Sequence, residues 1–311
     1  MNTKNVIQHS HAVLNKHART FSLASRLLPG EVRDNVAVTY AVCRLIDDTV
    51  DDAPSPAEAK VALQHIQNEW NGQSSPRPLL RLFRDICDEH DIPEGAVSEL
   101  MLGVGGDLGT IRFESDRELL RYSYRVAGTV GIIMARLIGV TDANAIPHAI
   151  DLGVGMQITN ICRDVLEDAK RNRVYIPESR LKAQKVSQDD LLDGSVSKAA
   201  LGRVISDLLL LADQYYESGR QGMPYIPAIP RTAISTAAQM YQAIGSEIER
   251  RHYNVMAGRT IVGPASKLKW FTVGVGYSLL SPLQNSGDHK ARLHRYFDGL
   301  AGANSADSSF C

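Results

Sequence analysis

The chain has 311 residues, 44% of them apolar, and 34 Lys and Arg against 35 Asp and Glu give a formal net charge of −1. That length and apolar content suit one large domain with a substantial core, while the charge balance supplies no global basic field and so argues against a nucleic-acid partner. Cys43, Cys87, Cys162 and Cys311 lack CxxC or zinc spacing, which argues against a disulfide framework and fits a reducing compartment.

In chain order, the segments have helical period and length and are separated by short Pro and Gly punctuation, so an all-α fold is expected. Ile7 to Leu28 reads as one or two helices ending before Pro29-Gly30. Glu31 to Asp52 follows, then Ala57 to Trp70, Pro78 to His90 and a segment opened by Pro93, a residue welcome at a helix start. The run Gly103 to Gly109, GVGGDLG, lacks the GK[ST] of a phosphate loop and follows no strand, so its glycines read as close helix packing. Glu118 to Ile138, Ala143 to Lys170, Gln188 to Gly219, Arg231 to Ala257 and Ser266 to Leu280 continue the helical pattern. Residues 1–285 are expected to form one domain, with 286–311 as a C-terminal extension whose Gly/Ala/Ser/Asp-rich end, Gly299 to Cys311, predicts disorder. No run reaches the ~18 apolar residues of a spanning helix. The expected location is therefore cytoplasmic, with peripheral contact at a membrane surface.

Two stretches carry charge that a helix does not favour. In YAVCRLIDDTVDD, Asp47 with Asp51 and Asp48 with Asp52 are i,i+4 neighbours, and Arg44 lies one turn before Asp48. Pro54 forces these acids into a last turn, where the helix dipole opposes them by about 0.3 to 1 kcal/mol each. A solvated acidic helix end is one reading. The other is a magnesium site, since Mg²⁺ takes one or two carboxylates and completes its shell with water and phosphate oxygens. The second stretch, QITNICRDVLED, decides between them: Asn160, Asp164 and Asp168 form an i, i+4, i+8 stripe on an apolar helix, with Arg163 and Arg173 nearby. Two such clusters fit facing walls around metal-bridged diphosphates.

At these residues the chain resembles the squalene and phytoene synthase family, over about His17 to Lys269. The matching elements are HARTFSLASRLLP, YAVCRLIDDTVDD, YSYRVAGTVG, QITNICRDVLEDAKRNRVYIP and the late Tyr241 and Arg259. The resemblance implies an isoprenoid-synthase helical bundle around an apolar cavity and Mg²⁺-dependent head-to-head condensation of two prenyl diphosphates, with Mn²⁺ as a substitute ion. It places the metal on Asp47, Asp48, Asp51, Asn160, Asp164 and Asp168, and substrate contacts on Thr20, Phe21, Gln157, Arg163 and Tyr241.

The chemistry agrees with what is implied. Leaving-group charge on a diphosphate needs preorganised cations, for which Arg44, Arg173 and Arg259 are the candidates, followed by Lys170 and Arg171. The allylic cation needs a dry wall with aromatic faces, for which Phe21, Tyr40, Tyr122 and Tyr241 are chosen. Ser25 and Ala37, small residues on the two helices at the first cluster, are expected to leave room for a C20 donor. The expected product is phytoene, made without NADPH, and downstream carotenoid enzymes are candidate partners. A C30 synthase, a chain-elongating prenyltransferase or terpene cyclase, and a non-catalytic scaffold relative are the alternatives.

Overall fold

The computed structural model describes residues 2–280 and 287–303. Its helices are α1 (Thr3–His17), α2 (Arg19–Ser25), α3 (Gly30–Asp51), α4 (Pro56–Trp70), α5 (Pro78–Glu89), α6 (Glu94–Gly105), α7 (Asp116–Ser123), α8 (Thr129–Leu137), α9 (Ala145–Arg163), α10 (Val165–Lys170), α11 (Glu178–Ala183), α12 (Gln188–Leu192), α13 (Lys198–Gln221), α14 (Ala228–Arg250) and α15 (Pro264–Leu280). The all-α expectation holds. Helix starts follow the local chemistry: Ser55 accepts from the Glu58 amide ahead of α4, and Ser115 with Glu118 forms a capping box on α7.

Long helices break in several places where periodicity shows no interruption, among them the end of α14 at Arg250, ahead of His252 and Tyr253 at positive φ. A single π turn, Tyr124–Gly128, separates α7 from α8. α12 and α13 are divided at Gly194, which takes a positive φ of 78°. α9 stops at Arg163 because Asp164 leaves helical geometry, at φ −102° and ψ 14°, and α10 resumes one residue later. Two-residue strands β1 (Ile111–Arg112) and β2 (Arg173–Val174) pair in parallel, Ile111 against Arg173. They are too short to show alternation in sequence, yet they bring the loop after α6 to the loop after α10.

α9 is the central helix, packed on α8, α13 and α14, with Ile150, Val154 and Ile158 fully buried. Its approach to the π turn and α8 is backbone to backbone. A Cβ on Gly153 would lie 2.2 Å from the Ala127 carbonyl oxygen, and one on Gly131 2.2 Å from that of Ala149. The C-terminal extension differs from expectation over its described part. Leu293, Phe297, Leu300 and Ala303 are buried in the main core, Tyr215 donates to the Leu293 carbonyl at 2.9 Å, and Tyr124 donates to that of Ala301. Apolar side chains spaced three to four apart anchor residues 287–303 as a strap, a pattern that the small residues around them masked. Residues 304–311, where disorder was expected, lie outside the described residues.

Candidate active site

The end of α3 faces the loop after α10. Asp51 accepts from Arg173 at 2.7 Å and from Arg171 at 2.8 Å, so the first acidic cluster is joined directly to the basic run that follows the second. Arg44 pairs with Asp48 one turn along α3. Asp164, at the break after α9, accepts from Arg163 Nε at 2.7 Å and lies 3.0 Å from Arg259 Nε. Lys170 ends α10 beside Arg171.

Asp47 and Asp168 make no ion pair among the described residues. Each carboxyl is pushed up to about 7, chiefly by burial. At Asp47 the charges of Asp51, Asp107 and Asp48 add to this against the pull of Arg44; at Asp168, Asp164 and Asp107 add against Arg173 and Arg171.

Asp107 is the site residue that sequence reasoning missed, having read its Gly-rich stretch as packing alone. The glycines do pack, since a Cβ on Gly103 would meet that of Arg125 at 2.6 Å. The acid between them accepts from Tyr122 at 2.8 Å and from Tyr175 at 2.9 Å, and burial pushes it up to about 6. The only signal in sequence is a lone acid amid glycines, and the β1–β2 pairing that gives it meaning is invisible there. Tyr122 accordingly has a different place from the one expected. It stacks on Tyr175 at 4.9 Å and serves Asp107, and it is not part of the cavity wall.

The cavity opens beside these acids and holds about 1380 Å³ of empty space, its open mouth included. Phe21, Tyr40, Gln157, Asn160 and Tyr241 line it at the acidic end, with the Phe21 and Tyr241 rings 5.4 Å apart. Burial raises Tyr40 to about 12 and raises Tyr241 as well, so both stay neutral phenols. From Asn160 the wall follows α9 through Met156, Leu152 and Ala149 to Ala145, a helical stripe of about 22 Å at 1.5 Å per residue.

Residues 14–269 match the model of the squalene/phytoene synthase family. The chain belongs to the squalene/phytoene synthase family. It is therefore a prenyltransferase by family. This synthase is 30% identical to a 15-cis-phytoene synthase of Enterobacter agglomerans over 89% of its own length and 97% of that chain. To a phytoene synthase of Thermus thermophilus it is 36% identical, over 79% and 84%. Among solved structures, a dehydrosqualene synthase in complex with a ligand superposes with a TM-score of 0.79 at 24% identity, covering 88% of this chain and 96% of that one. A squalene synthase from Alicyclobacillus acidocaldarius gives 0.72 at 20%, covering 80% and 95%. These two likenesses concern the fold.

The synthase's donor set fits a hard divalent ion. It is all oxygen, Asp47 and Asp168 are unpaired with carboxyls that a cation would relieve, and the buried Oδ1 of Asn160 has no partner. Among the described residues the two acidic clusters do not close three ligand atoms on one point, which suits an ion that completes its shell with phosphate oxygens and water. Two expectations fail on geometry. Ala37 is fully buried and Ser25 is buried with its hydroxyl donating to the Ser22 carbonyl at 3.0 Å, and neither lines the cavity, whose α3 wall is Val36, Thr39, Tyr40 and Cys43. The Thr20 side chain lies outside the described residues.

Proposed function

We propose that this synthase condenses two molecules of geranylgeranyl diphosphate head to head into phytoene, the entry reaction of carotenoid synthesis. The observation that carries the reading is an apolar cavity running about 22 Å along α9 from an end whose Tyr40 and Tyr241 neighbour Arg44, Asp47, Arg163, Asp164 and Arg259. The phytoene synthases among its relatives support the C20 donor over the C15 one.

Asp47, Asp168 and Asn160 would hold Mg²⁺, with Asp48, Asp51 and Asp164 behind them in their arginine pairs. The ion, when bound, supplies positive charge to the diphosphate leaving group. Arg44, Arg163, Arg171, Arg173 and Arg259 sit at the mouth as donors to phosphate oxygens, and each already points at a site carboxylate. Departure of the first diphosphate leaves an allylic cation, whose C1 bonds to the double bond of the second substrate with loss of a proton, giving a cyclopropylcarbinyl diphosphate. That intermediate ionises, rearranges and loses a second proton. The released diphosphate, held at the same arginines, is the base at hand. Phe21, Tyr40 and Tyr241 offer ring faces to passing positive charge, and the aliphatic wall excludes water; an ending by proton loss uses no NADPH.

No helix among the described residues is long and apolar enough to cross a membrane. The exposed Ile261, Leu268, Leu279 and Leu280, on and before α15, support peripheral contact with a bilayer that takes up the product, where downstream carotenoid enzymes would meet it. The test is incubation with labelled geranylgeranyl diphosphate. A C40 hydrocarbon is expected with Mg²⁺ or Mn²⁺ and none after chelation, with helical circular dichroism unchanged. Turnover in chelator would contradict the metal assignment.

A further inference from the structure

Asp151, on α9, is fully enclosed, and no lysine or arginine pairs with it among the described residues. Its two oxygens meet instead the Nε2 atoms of His289 at 2.8 Å and His294 at 2.9 Å, both on the C-terminal strap. The two rings stand 4.3 Å apart between centroids, tilted by 58°. One donor atom from each of the three residues lies within 4.8 Å of the others. Neither acidic cluster of the mouth achieves this convergence, and the proposed reaction uses none of the three.

We propose that Asp151, His289 and His294 form a second cation site, for a divalent ion of the zinc class, which ties the strap to α9. Two imidazoles and one carboxylate are a borderline donor set that zinc accepts and magnesium, an oxygen-seeking ion, does not. Without an ion, a wholly buried carboxylate is matched by two imidazole N–H groups and the Ser218 hydroxyl, and burying a charge is costly unless an opposite charge accompanies it. An ion between the three replaces the shared protons, each imidazole then keeping its proton on Nδ1. His148 stands beside His289 at 5.4 Å between rings, with Nδ1 donating to the Ser218 carbonyl at 2.8 Å, and lies outside the three residues whose donor atoms converge. The His289 side chain is 16% exposed, which gives the ion a route and leaves a place for water as a further ligand.

The test uses the full chain, stripped with chelator and titrated with Co²⁺ under excess Mg²⁺ while visible absorption is recorded. Saturable ligand-field bands at one equivalent are expected, displaced by Zn²⁺, kept in Asp47→Asn and lost in His289→Gln and His294→Gln. One equivalent of Zn²⁺ should raise the melting temperature of the wild type by several degrees and leave the histidine variants unmoved. No saturable band, or bands that persist in both histidine variants, would overturn the site. Should His294→Gln fail to fold, the partly exposed His289→Gln decides alone. Because binding is read without substrate, the result stands apart from the identity of the product.

Discussion

Asp47 and Asp164 represent two states of one acidic mouth, the first unpaired and half-buried, the second held by Arg163 and Arg259. Asp47→Asn or Asp164→Asn should lower turnover at least about 10²- to 10³-fold, the cost of losing one preorganised electrostatic contact, with far-UV circular dichroism intact. Near-normal activity in either variant would remove the metal assignment. The raised carboxyl of Asp47 also makes a stability prediction for the metal-free protein. Its folded form holds a proton that the unfolded chain releases at an ordinary carboxylate value. The associated stability is thus present below about pH 4 and lost as pH rises through about 7. Metal-free Asp47→Asn should melt above wild type at pH 8 and level with it at pH 4, in paired calorimetric scans. At this scale the acids and arginines were legible in sequence because their charges repeat at helical spacing. Asp107 was not, because its neighbours lie far along the chain, Tyr122 on α7 and Arg173 and Tyr175 at the β2 strand that pairs with β1.

The helices were legible from apolar period and from Pro and Gly punctuation, and their interruptions were not. Asp164, a residue tolerated in helices, breaks α9 from α10 where the arginines hold it, and the π turn at Tyr124–Gly128 carries no distinctive residue. Such π turns recur at functional sites, and this one contributes Val126 and Ala127 to the cavity. The glycines around it answer to contact with α9. Gly153→Ala would place a Cβ 2.2 Å from the Ala127 carbonyl oxygen, a backbone atom that cannot turn aside. A loss of about 1 to 3 kcal/mol or more is expected in urea unfolding, and unchanged stability would mean that the helices separate easily. The chain-length prediction moves from Ala37, which is packed inside the bundle, to Ala149, which lines the cavity near the start of α9, far from the acidic end. Ala149→Phe should shorten the tunnel and shift preference toward the C15 donor. Each methylene left unburied forfeits about 0.8 kcal/mol, so five carbons are ample for a measurable change in the ratio of kcat/KM values. An unchanged ratio would place the chain ends elsewhere.

Across the whole molecule, one cavity, one acidic mouth and one strap account for the sequence features that were singled out. The strap shows the limit of composition as a guide: Phe297, Leu300 and Ala303 are core residues set among small and polar neighbours. The isoprenoid-synthase bundle was legible because both acidic clusters and their arginines came with it, whereas donor length depends on which small residues face the cavity, a matter of packing. The central claim is the identity of the product. It is tested most directly by offering geranylgeranyl and farnesyl diphosphates together, each with its own label, with Mg²⁺ and with or without NADPH, and resolving the hydrocarbons by carbon number. A C40 product unaffected by NADPH is predicted. A dominant C30 hydrocarbon, or a product that NADPH converts to a reduced one, would contradict the account.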